Sequence, residues 1–288
     1  MSIGIIGGSG LYEWDALQDA TWVPVDTPWG PTSDDFLRGT LDGKTVYFLP
    51  RHGRNHQLLP SEVNHRANVF ALKQCGVDAI LSVSAVGSLS EAIKPRDVLM
   101  PDQYFDRMRS SPQHTFFGNG VAAHISLSDP VCPFMHSLLV EVATDVRDSN
   151  PEFGDRHVHG RGTYVNMEGP AFSTRAESEF YRRQGFEVIG MTSMPETRLA
   201  REAELPYTSL ALITDYDCWH VEEGPVTADL VAGHVRANKT FAQAILREFV
   251  ARLPDVFPSP AHEALRGAVM TAPAAIPEEI RRKIPWLE

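Results

Sequence analysis

The feature that most limits the fold of this chain is a series of short apolar runs that do not alternate with polar residues. Such runs are typical of strands that are covered on both faces, as in parallel or mixed sheets. Six of them stand out, at residues 3–6, 45–49, 79–83, 97–100, 187–189 and 208–213. Helical patterns lie between them. This order predicts a single-domain α/β fold with a central mixed, twisted sheet flanked by helices.

Helix starts are predicted from capping residues placed ahead of apolar residues at helical spacing. The expected starts are the stretch after Ser61, a capping box of Thr174 with Glu177, a second box of Ser193 with Glu196, and Thr227. The last of these predicts the longest helix, which should continue to about Leu253.

The composition limits the classes of function. The chain has 288 residues, of which 43% are hydrophobic, so it can bury a large core. Its net charge of −11, with no long run of Lys or Arg, argues against nucleic-acid and membrane partners. Residues 1–258 are expected to form one domain. Residues 259–288, rich in Pro and Ala, are expected to form a peripheral helix and tail against a neighbouring subunit.

Three scattered cysteines predict neither a disulfide framework nor a metal site. A reducing, cytoplasmic compartment is therefore expected. The first residues lead directly into a strand without a basic segment, so no signal peptide is expected, and no apolar run is long enough to cross a bilayer.

Several candidate anion-binding groups directly follow predicted strands or begin a helix. They are Ser9 in a glycine turn, Arg51 with His52, Ser84 with Ala85, and Thr192 beside a helix N-terminus. Arginine offers a planar fork for phosphate oxygens, and free N–H groups at turns and helix N-termini also favour anions. For the glycine turn alone an ordinary strand-to-loop turn is favoured, for Arg51 with His52 a local positive site is favoured over a solvated loop, and for Ser84 both interpretations are open. Because strand ends can converge on one edge of an α/β sheet, we expect these groups to meet.

Two carboxylates, Asp215 and Asp217, follow the apolar run at residues 207–213. Side chains at i and i+2 of an extended segment point the same way. The pair can therefore present two acceptors to a ligand edge rich in N–H groups, such as the amino edge of adenine. The alternative is a solvated acidic turn.

Together these segments resemble the purine nucleoside phosphorylase family, in particular its branch that cleaves 5′-methylthioadenosine. The resemblance covers about residues 3–255. It is carried by Arg51-His52-Gly53-Arg54, Ser84-Ala85-Val86-Gly87-Ser88-Leu89, Met167-Glu168-Gly169-Pro170-Ala171-Phe172-Ser173, Met191-Thr192 and Thr214-Asp215-Tyr216-Asp217-Cys218-Trp219.

The resemblance implies a role for each matching position. The implied phosphate-binding residues are Ser9, Arg51, His52, Ser84, Ala85 and Thr192. The implied nucleoside-binding residues are Phe172 on the purine face, Met191 under the ribose, Glu168 or Asn166 near the sugar hydroxyls, His124 near the 5′ substituent, and Val226, Ala228 and Val231 around that substituent. It further implies a homo-oligomer, with a trimer most expected, in which His124 acts from an adjacent subunit.

The implied reaction is phosphorolysis of 5′-methylthioadenosine to adenine and 5-methylthioribose 1-phosphate, with phosphate as co-substrate and with no metal or other cofactor. Asp215 is the candidate catalytic proton donor to the purine, with water as the alternative donor. Asp217 is the candidate that selects an amino over an oxo purine. Phosphorolysis of adenosine, 5′-deoxyadenosine or methylthioinosine stays open, as do a hydrolase and a nucleoside-binding protein without activity.

Overall fold

The fold is a mixed sheet with helices on both faces. The computed structural model describes residues 1–8, 11, 14, 16–109, 111–220 and 228–287. The strands are β1 Ser2–Gly7, β2 Gln18–Val23, β3 Phe36–Leu41, β4 Lys44–Pro50, β5 Ala79–Ser88, β6 Val98–Leu99, β7 Gln103–Asp106, β8 Val158–His159, β9 Thr163–Asn166, β10 Val188–Gly190 and β11 Tyr207–Asp215. The helices are α1 His65–Gln74, α2 Pro133–Ser149, α3 Arg175–Arg183, α4 Ser193–Glu202, α5 Ala228–Arg252 and α6 Glu278–Lys283.

Strand β5 lies at the centre of the sheet and pairs with three neighbours. The main strand order is β2-β3-β4-β1-β5-β10-β9-β7, and β11 pairs with both β5 and β6. β5 is parallel to β1 and β11 but antiparallel to β10. The predicted mixed α/β sheet is therefore confirmed.

All six predicted apolar runs contribute to strands, but several strands were not predicted. β2 is largely exposed, and β7 at the sheet edge alternates between exposed and half-buried positions. Neither therefore needs the apolar run by which a fully buried strand is recognised.

The helix predictions differ in accuracy. α3 begins with the predicted capping box, in which the Thr174 and Glu177 side chains bond each other's backbone N–H groups. For α1 the predicted start after Ser61 is wrong: Asn64 is the N-cap and accepts from the N–H of Ala67. Helix α2 was missed. The long α5 is as predicted within the described residues, which exclude Thr227.

Alternate residues of the central strands supply two separate hydrophobic clusters, as expected from the two-residue period of a strand. Ile5 and Leu81 pack in the cluster that contains α2 and α5. Ile6 and Ile80 pack in the cluster that contains α1 and α4. Because both faces of the sheet are covered, its functional groups can reach a ligand only at strand ends or at gaps in the strand pairing.

The C-terminal segment after residue 258 completes the second cluster of its own chain. Ile276, Ile280 and Ile284 are spaced four residues apart and are all buried in that cluster. The Trp286 ring packs 5.6 Å from that of Phe70, and its indole N–H donates to the carbonyl of Glu202 at 3.0 Å. These side chains therefore pack within their own chain, and packing of the segment on a neighbouring subunit stays a prediction.

We expect Ile284→Ala to lower the free energy of unfolding by about 2–5 kcal/mol, because the side chain is fully buried and its removal leaves a cavity. The matched control is Val256→Ala at a side chain that is 89% exposed, which should change stability by less than about 0.5 kcal/mol. Urea denaturation at equal protein concentration measures both. Equal stability of the two variants would show that the tail is not part of the cooperative core.

Candidate active site

A gap in the pairing of β5 opens the centre of the sheet. On one side of β5, β1 is in register only as far as Ser82, and β10 begins only at Gly87. Within this gap Ala85 is the single exposed residue of an otherwise buried strand. A parallel neighbour ends here and an antiparallel one begins, so the ends of several elements meet at one cleft.

Arg51 reaches this gap from the end of β4. Its backbone N–H donates to the carbonyl of Gly7 at 2.9 Å, which ties it to the end of β1. Its guanidinium donates from Nη1 to the carbonyl of Val83 at 3.0 Å and from Nη2 to Oγ of Ser82 at 2.7 Å. The predicted convergence of Arg51 with the strand that carries Ser84 is therefore present in the structure.

Glu196 is the ionic partner of Arg51. Its Oε1 lies 2.5 Å from Nε of Arg51, and both side chains are almost fully buried. Burial alone would lower the pKa of Arg51, but the charge and hydrogen bond of Glu196 raise it above its ordinary value. The guanidinium is thus charged, and Glu196 neutralises it inside the protein.

The predicted capping box of Ser193 with Glu196 is wrong. Thr192 is the N-cap of α4, and no side chain of this cap bonds the helix N-terminus. Oδ1 of Asn166, at the end of β9, instead accepts from the N–H of Met194 at 2.9 Å. A Glu in the first turn of a helix has the same sequence pattern whether it caps the helix or pairs with a distant Arg. The sequence therefore did not distinguish these two roles of Glu196.

His52 is neutral and has a defined tautomer. Its Nδ1 lies 2.9 Å from the carbonyl of Leu58, which can only accept, so Nδ1 carries the proton. Burial and then the charge of Arg51 lower the pKa of His52 to about 4. Nε2 is therefore a hydrogen-bond acceptor at neutral pH.

A group of buried hydroxyls lines the same gap. Oγ of Ser84, Oγ of Ser193 and Oη of Tyr164 are all buried and have no hydrogen-bond partner among the described residues. Burial raises the pKa of Tyr164, while the nearby hydroxyls of Ser193, Thr192 and Ser84 work against that rise. Neutral donors buried without partners suit a bound anion, since such groups are costly to leave unsatisfied. Ser9, the remaining phosphate candidate, lies outside the described residues.

Asp215 ends β11 opposite Gly87 of β5. Its Oδ2 accepts from the hydroxyl of Thr214, and its Oδ1 accepts from the N–H of Asp217, both at 2.8 Å. Burial raises the pKa of Asp215, and these two hydrogen bonds limit the rise. The candidate catalytic carboxyl is thus held rigidly at the far end of the gap from Arg51.

Asp217 does not extend the strand. Its φ of 52° lies in the left-handed region, and it opens a short 3₁₀ turn. The expectation that an extended backbone aligns the two carboxylates is therefore wrong; the bond from the Asp217 N–H to Asp215 turns the chain instead. Oδ2 of Asp217 is buried without a partner among the described residues, and burial, together with the charge of Asp215, raises its pKa.

Gly87 and Trp219 allow the two carboxylates to lie close together. A Cβ at Gly87 would lie 2.8 Å from Oδ1 of Asp215 and 3.4 Å from Cβ of Asp217. The indole N–H of Trp219 donates to the carbonyl of Ser88 at 2.8 Å, which fastens the turn to the end of β5. Sequence reasoning assigned no role to Trp219, to Tyr164 or to the pairing of Glu196, although Trp219 lies inside a recognised motif.

The remaining nucleoside candidates differ in how accessible they are to a ligand. Met191 directly follows β10, and its sulfur would lie only 2.6 Å from a Cβ placed at Gly169. Phe172 is 45% exposed, so its ring is available to a ligand. Asn166 is fully buried, and its Oδ1 already accepts from the N–H of Met194. Glu168 lies beside Arg109 and is half-exposed, so it is the more accessible of the two candidates for the sugar hydroxyls.

His124 is the nucleoside candidate that was expected near the 5′ substituent. Its backbone N–H donates to the carbonyl of Ala268, and among the described residues no hydrogen bond or ring contact joins it to Asp215 or Arg51. Within one chain it is tied to the C-terminal segment. Val226 and the side chains of Ala228 and Val231 lie outside what the structure describes.

Two further features concern the described part of the chain as a whole. None of its helices combines the length and the apolar character needed to cross a membrane. Nor does that part contain a group of three His, Cys, Asp or Glu side chains arranged to hold a metal ion.

Comparison with known proteins places the chain in a class. A family model described as the phosphorylase superfamily matches residues 2–251, which include every candidate site residue named above.

Individual relatives refine this class. The chain is 49% identical to the S-methyl-5′-thioadenosine phosphorylase of Geobacter sulfurreducens, over 98% of this chain and 96% of that protein. It is 50% identical to the protein of the same name from Thermosynechococcus vestitus, over 99% and 97%. The chain belongs to the phosphorylase superfamily and, within it, to the family formed by these phosphorylases.

Solved structures agree with this placement. A methylthioadenosine phosphorylase from an antarctic soil metagenomic library superposes with a TM-score of 0.91 at 46% identity, covering 99% of this chain and 98% of that one. The Schistosoma mansoni methylthioadenosine phosphorylase in complex with adenine superposes with a TM-score of 0.83 at 33% identity, covering 93% and 96%. The nucleoside-phosphorylase type of the fold is thereby confirmed.

We expect His52 to stay neutral, with its proton on Nδ1, down to about pH 4. Because this pKa is below the ordinary 6.5, the unfolded chain takes up the proton first. The stability contributed by His52 is therefore complete above about pH 6.5 and falls as the pH falls towards 4. Nitrogen NMR of histidine-labelled protein measures the tautomer and the midpoint, with His52→Gln assigning the signal. A midpoint near 6.5 would contradict the buried, neutral ring.

Proposed function

We propose that this protein cleaves the N-glycosidic bond of 5′-methylthioadenosine with inorganic phosphate, which yields adenine and 5-methylthioribose 1-phosphate. The observation that carries the proposal is the placement of two different binding groups along one strand. Ser84, among the unpaired hydroxyls, and Gly87, beside Asp215 and Asp217, are three residues apart on β5, roughly 10 Å. A nucleoside between them can meet phosphate at its sugar and carboxyl groups at its base.

At the phosphate end the side chains would orient the nucleophile. Ser84 and Ala85 lie in the gap in β5, the hydroxyls of Thr192 and Ser84 both lie near Tyr164, and Arg51 binds the carbonyl of Val83. Neutral His52 offers Nε2 as an acceptor, which suits the protonated oxygen of hydrogen phosphate. Holding phosphate beneath the anomeric carbon lowers the entropic part of the barrier.

At the base end the carboxyl pair would activate the leaving group. As the bond from sugar to purine breaks, a phosphate oxygen bonds to the anomeric carbon and the purine gains a proton at N7. In net terms hydrogen phosphate loses one proton and adenine gains one. Burial is the chief cause that raises the pKa values of both Asp215 and Asp217, which favours retention of a proton by the pair. Since such neighbours titrate together, we assign this proton to the pair.

The assembly and the surroundings of the enzyme are part of the same proposal. Phe105 and Phe180 are exposed large apolar side chains, which supports burial against a second copy in a homo-oligomer, proposed as a trimer. His124 would then reach the 5′ substituent of an adjacent subunit. The cysteines Cys75, Cys132 and Cys218 are free thiols, which supports a cytoplasmic location. Phosphate is the proposed co-substrate, and neither a metal nor another cofactor is proposed.

Adenine release from 5′-methylthioadenosine is expected to require phosphate and to give a sugar 1-phosphate in equal amount. The reason is that the buried hydroxyls at the β5 gap are proposed to hold phosphate as the nucleophile. Adenine and sugar phosphate are measured by chromatography with and without phosphate. A rate that persists in phosphate-free buffer would identify a hydrolase instead, and the absence of adenine even in a single turnover would identify a binding protein.

Asp217→Asn is expected to weaken the preference for a 6-amino purine over a 6-oxo purine by about 10-fold or more, since an amide can donate to the oxo group that a carboxylate repels. The ratio of kcat/KM for methylthioadenosine to that for methylthioinosine measures the preference. Asp215→Asn is the matched control and should lower kcat for both substrates. An unchanged ratio in Asp217→Asn would contradict the assignment of base selection to Asp217.

A further inference from the structure

A buried polar network lies directly beneath the gap in β5. The Glu196 carboxylate accepts hydrogen bonds from Arg51, from Oγ of Ser82 at 2.7 Å and from Oη of Tyr207 at 3.3 Å. All four residues are nearly inaccessible to solvent. The network joins the end of β4, the centre of β5, the start of β11 and the first turn of α4 at one point.

His65 lies beside this network without adding charge to it. Its Nδ1 is 3.8 Å from Oε1 of Glu196. Burial and then the charge of Arg51 hold the pKa of His65 well below its usual value, so this contact is not an ion pair. Glu196 is therefore the anion that balances Arg51.

The network leaves one N–H donor of Arg51 available to a ligand. Nε–H is taken by Glu196, and Nη2 faces Ser82, Glu196 and the carbonyl of Ile6. Nη1 donates one hydrogen to the carbonyl of Val83. Among the five N–H groups of a guanidinium, one on Nη1 has no acceptor in the described part of the chain. Nη1 lies beside the β5 gap, because the carbonyl that it binds belongs to Val83, the residue before Ser84.

We propose that Glu196 is a positioning residue for phosphate. It fixes the guanidinium of Arg51 so that this one Nη1–H faces the gap, and it cancels the positive charge of Arg51. Phosphate is then held by directed hydrogen bonds rather than by net charge. This inference rests on the proposed function, because it assigns phosphate to the hydroxyls at the gap.

A role in stability alone does not account for the arrangement. A buried ion pair contributes little net stability compared with apolar side chains of similar size, since desolvating two charges offsets their attraction. Arg51 of this ion pair also donates to the backbone carbonyls of Ile6 in β1 and Val83 in β5, where the pairing of these two strands ends. It therefore defines the floor of the gap, and a changed guanidinium angle would move the one free N–H.

The test is Glu196→Gln, which keeps the shape but removes the charge and one acceptor. We expect KM for phosphate to rise on the order of 10–100-fold, because a displaced donor no longer meets its oxygen. KM for methylthioadenosine should stay unchanged. Glu196→Asp, which keeps the charge, should recover part of the loss. Ser82→Ala, which removes a hydroxyl between Arg51 and Glu196, should raise KM for phosphate less than Glu196→Gln does.

Glu202→Gln is the matched control on the same helix. Glu202 is also buried, but it bonds Thr115 and the N–H of Phe116 rather than Arg51. The KM of the Glu202→Gln variant for phosphate should equal that of the wild type. A second readout needs no turnover: inorganic phosphate should raise the Tm of the wild type and of Glu202→Gln more than that of Glu196→Gln.

A folded Glu196→Gln protein with the wild-type KM for phosphate, or with equal rises in both KM values, would overturn the proposal. If Glu196→Gln does not fold, the same criteria apply to Ser82→Ala and Glu196→Asp. The wild type without phosphate separates this inference from the proposed function. Phosphate-independent adenine release overturns both, whereas a phosphate-dependent wild type with unaffected variants overturns only the role of Glu196.

Discussion

The pairing of β5 with three neighbours is the constraint on which the rest of this structure depends. β1 and β11 run parallel to it, and β10 runs antiparallel. Because β1 ends before β10 begins, the central strand of the sheet has a stretch that is paired on one side only. Polar groups placed there can be both desolvated and accessible, which a fully paired central strand does not permit.

The charges around that gap are arranged so that an anion can enter an acidic protein with a net charge of −11. Arg51 is neutralised by Glu196, and His52 is uncharged. At the other end, burial raises the pKa values of Asp215 and Asp217, which favours a shared proton on this pair. The Arg51 end therefore carries little net charge, and binding of an anion there would depend on hydrogen-bond geometry more than on long-range attraction.

The sequence predicted those parts of the molecule that depend on local patterns. Continuous apolar runs predicted the buried strands, and the Thr174 box predicted the start of α3. The polar residues that follow strands predicted the convergence of Arg51 with β5. These features follow from burial and capping, which act over a few residues.

Features that depend on distant partners could not be predicted in this way. Glu196 looked like a capping residue because its true partner, Arg51, is 145 positions away. The exposed strands β2 and β7 lack the apolar runs of buried strands. The tail looked peripheral because its isoleucines are spread among Pro and Ala, and only the fold brings them against Phe70 and α4.

The two ends of the site are built by different means, and this separates the two tasks of the enzyme. The proposed phosphate end rests on a regular strand and a buried ion pair, where a small displacement would disturb the core. The base end rests on a turn, with Asp217 at positive φ and Gly87 leaving room for both carboxylates. Side chains in a turn can be exchanged without changing the strand pairing, so the choice of base can vary while the binding of phosphate is kept.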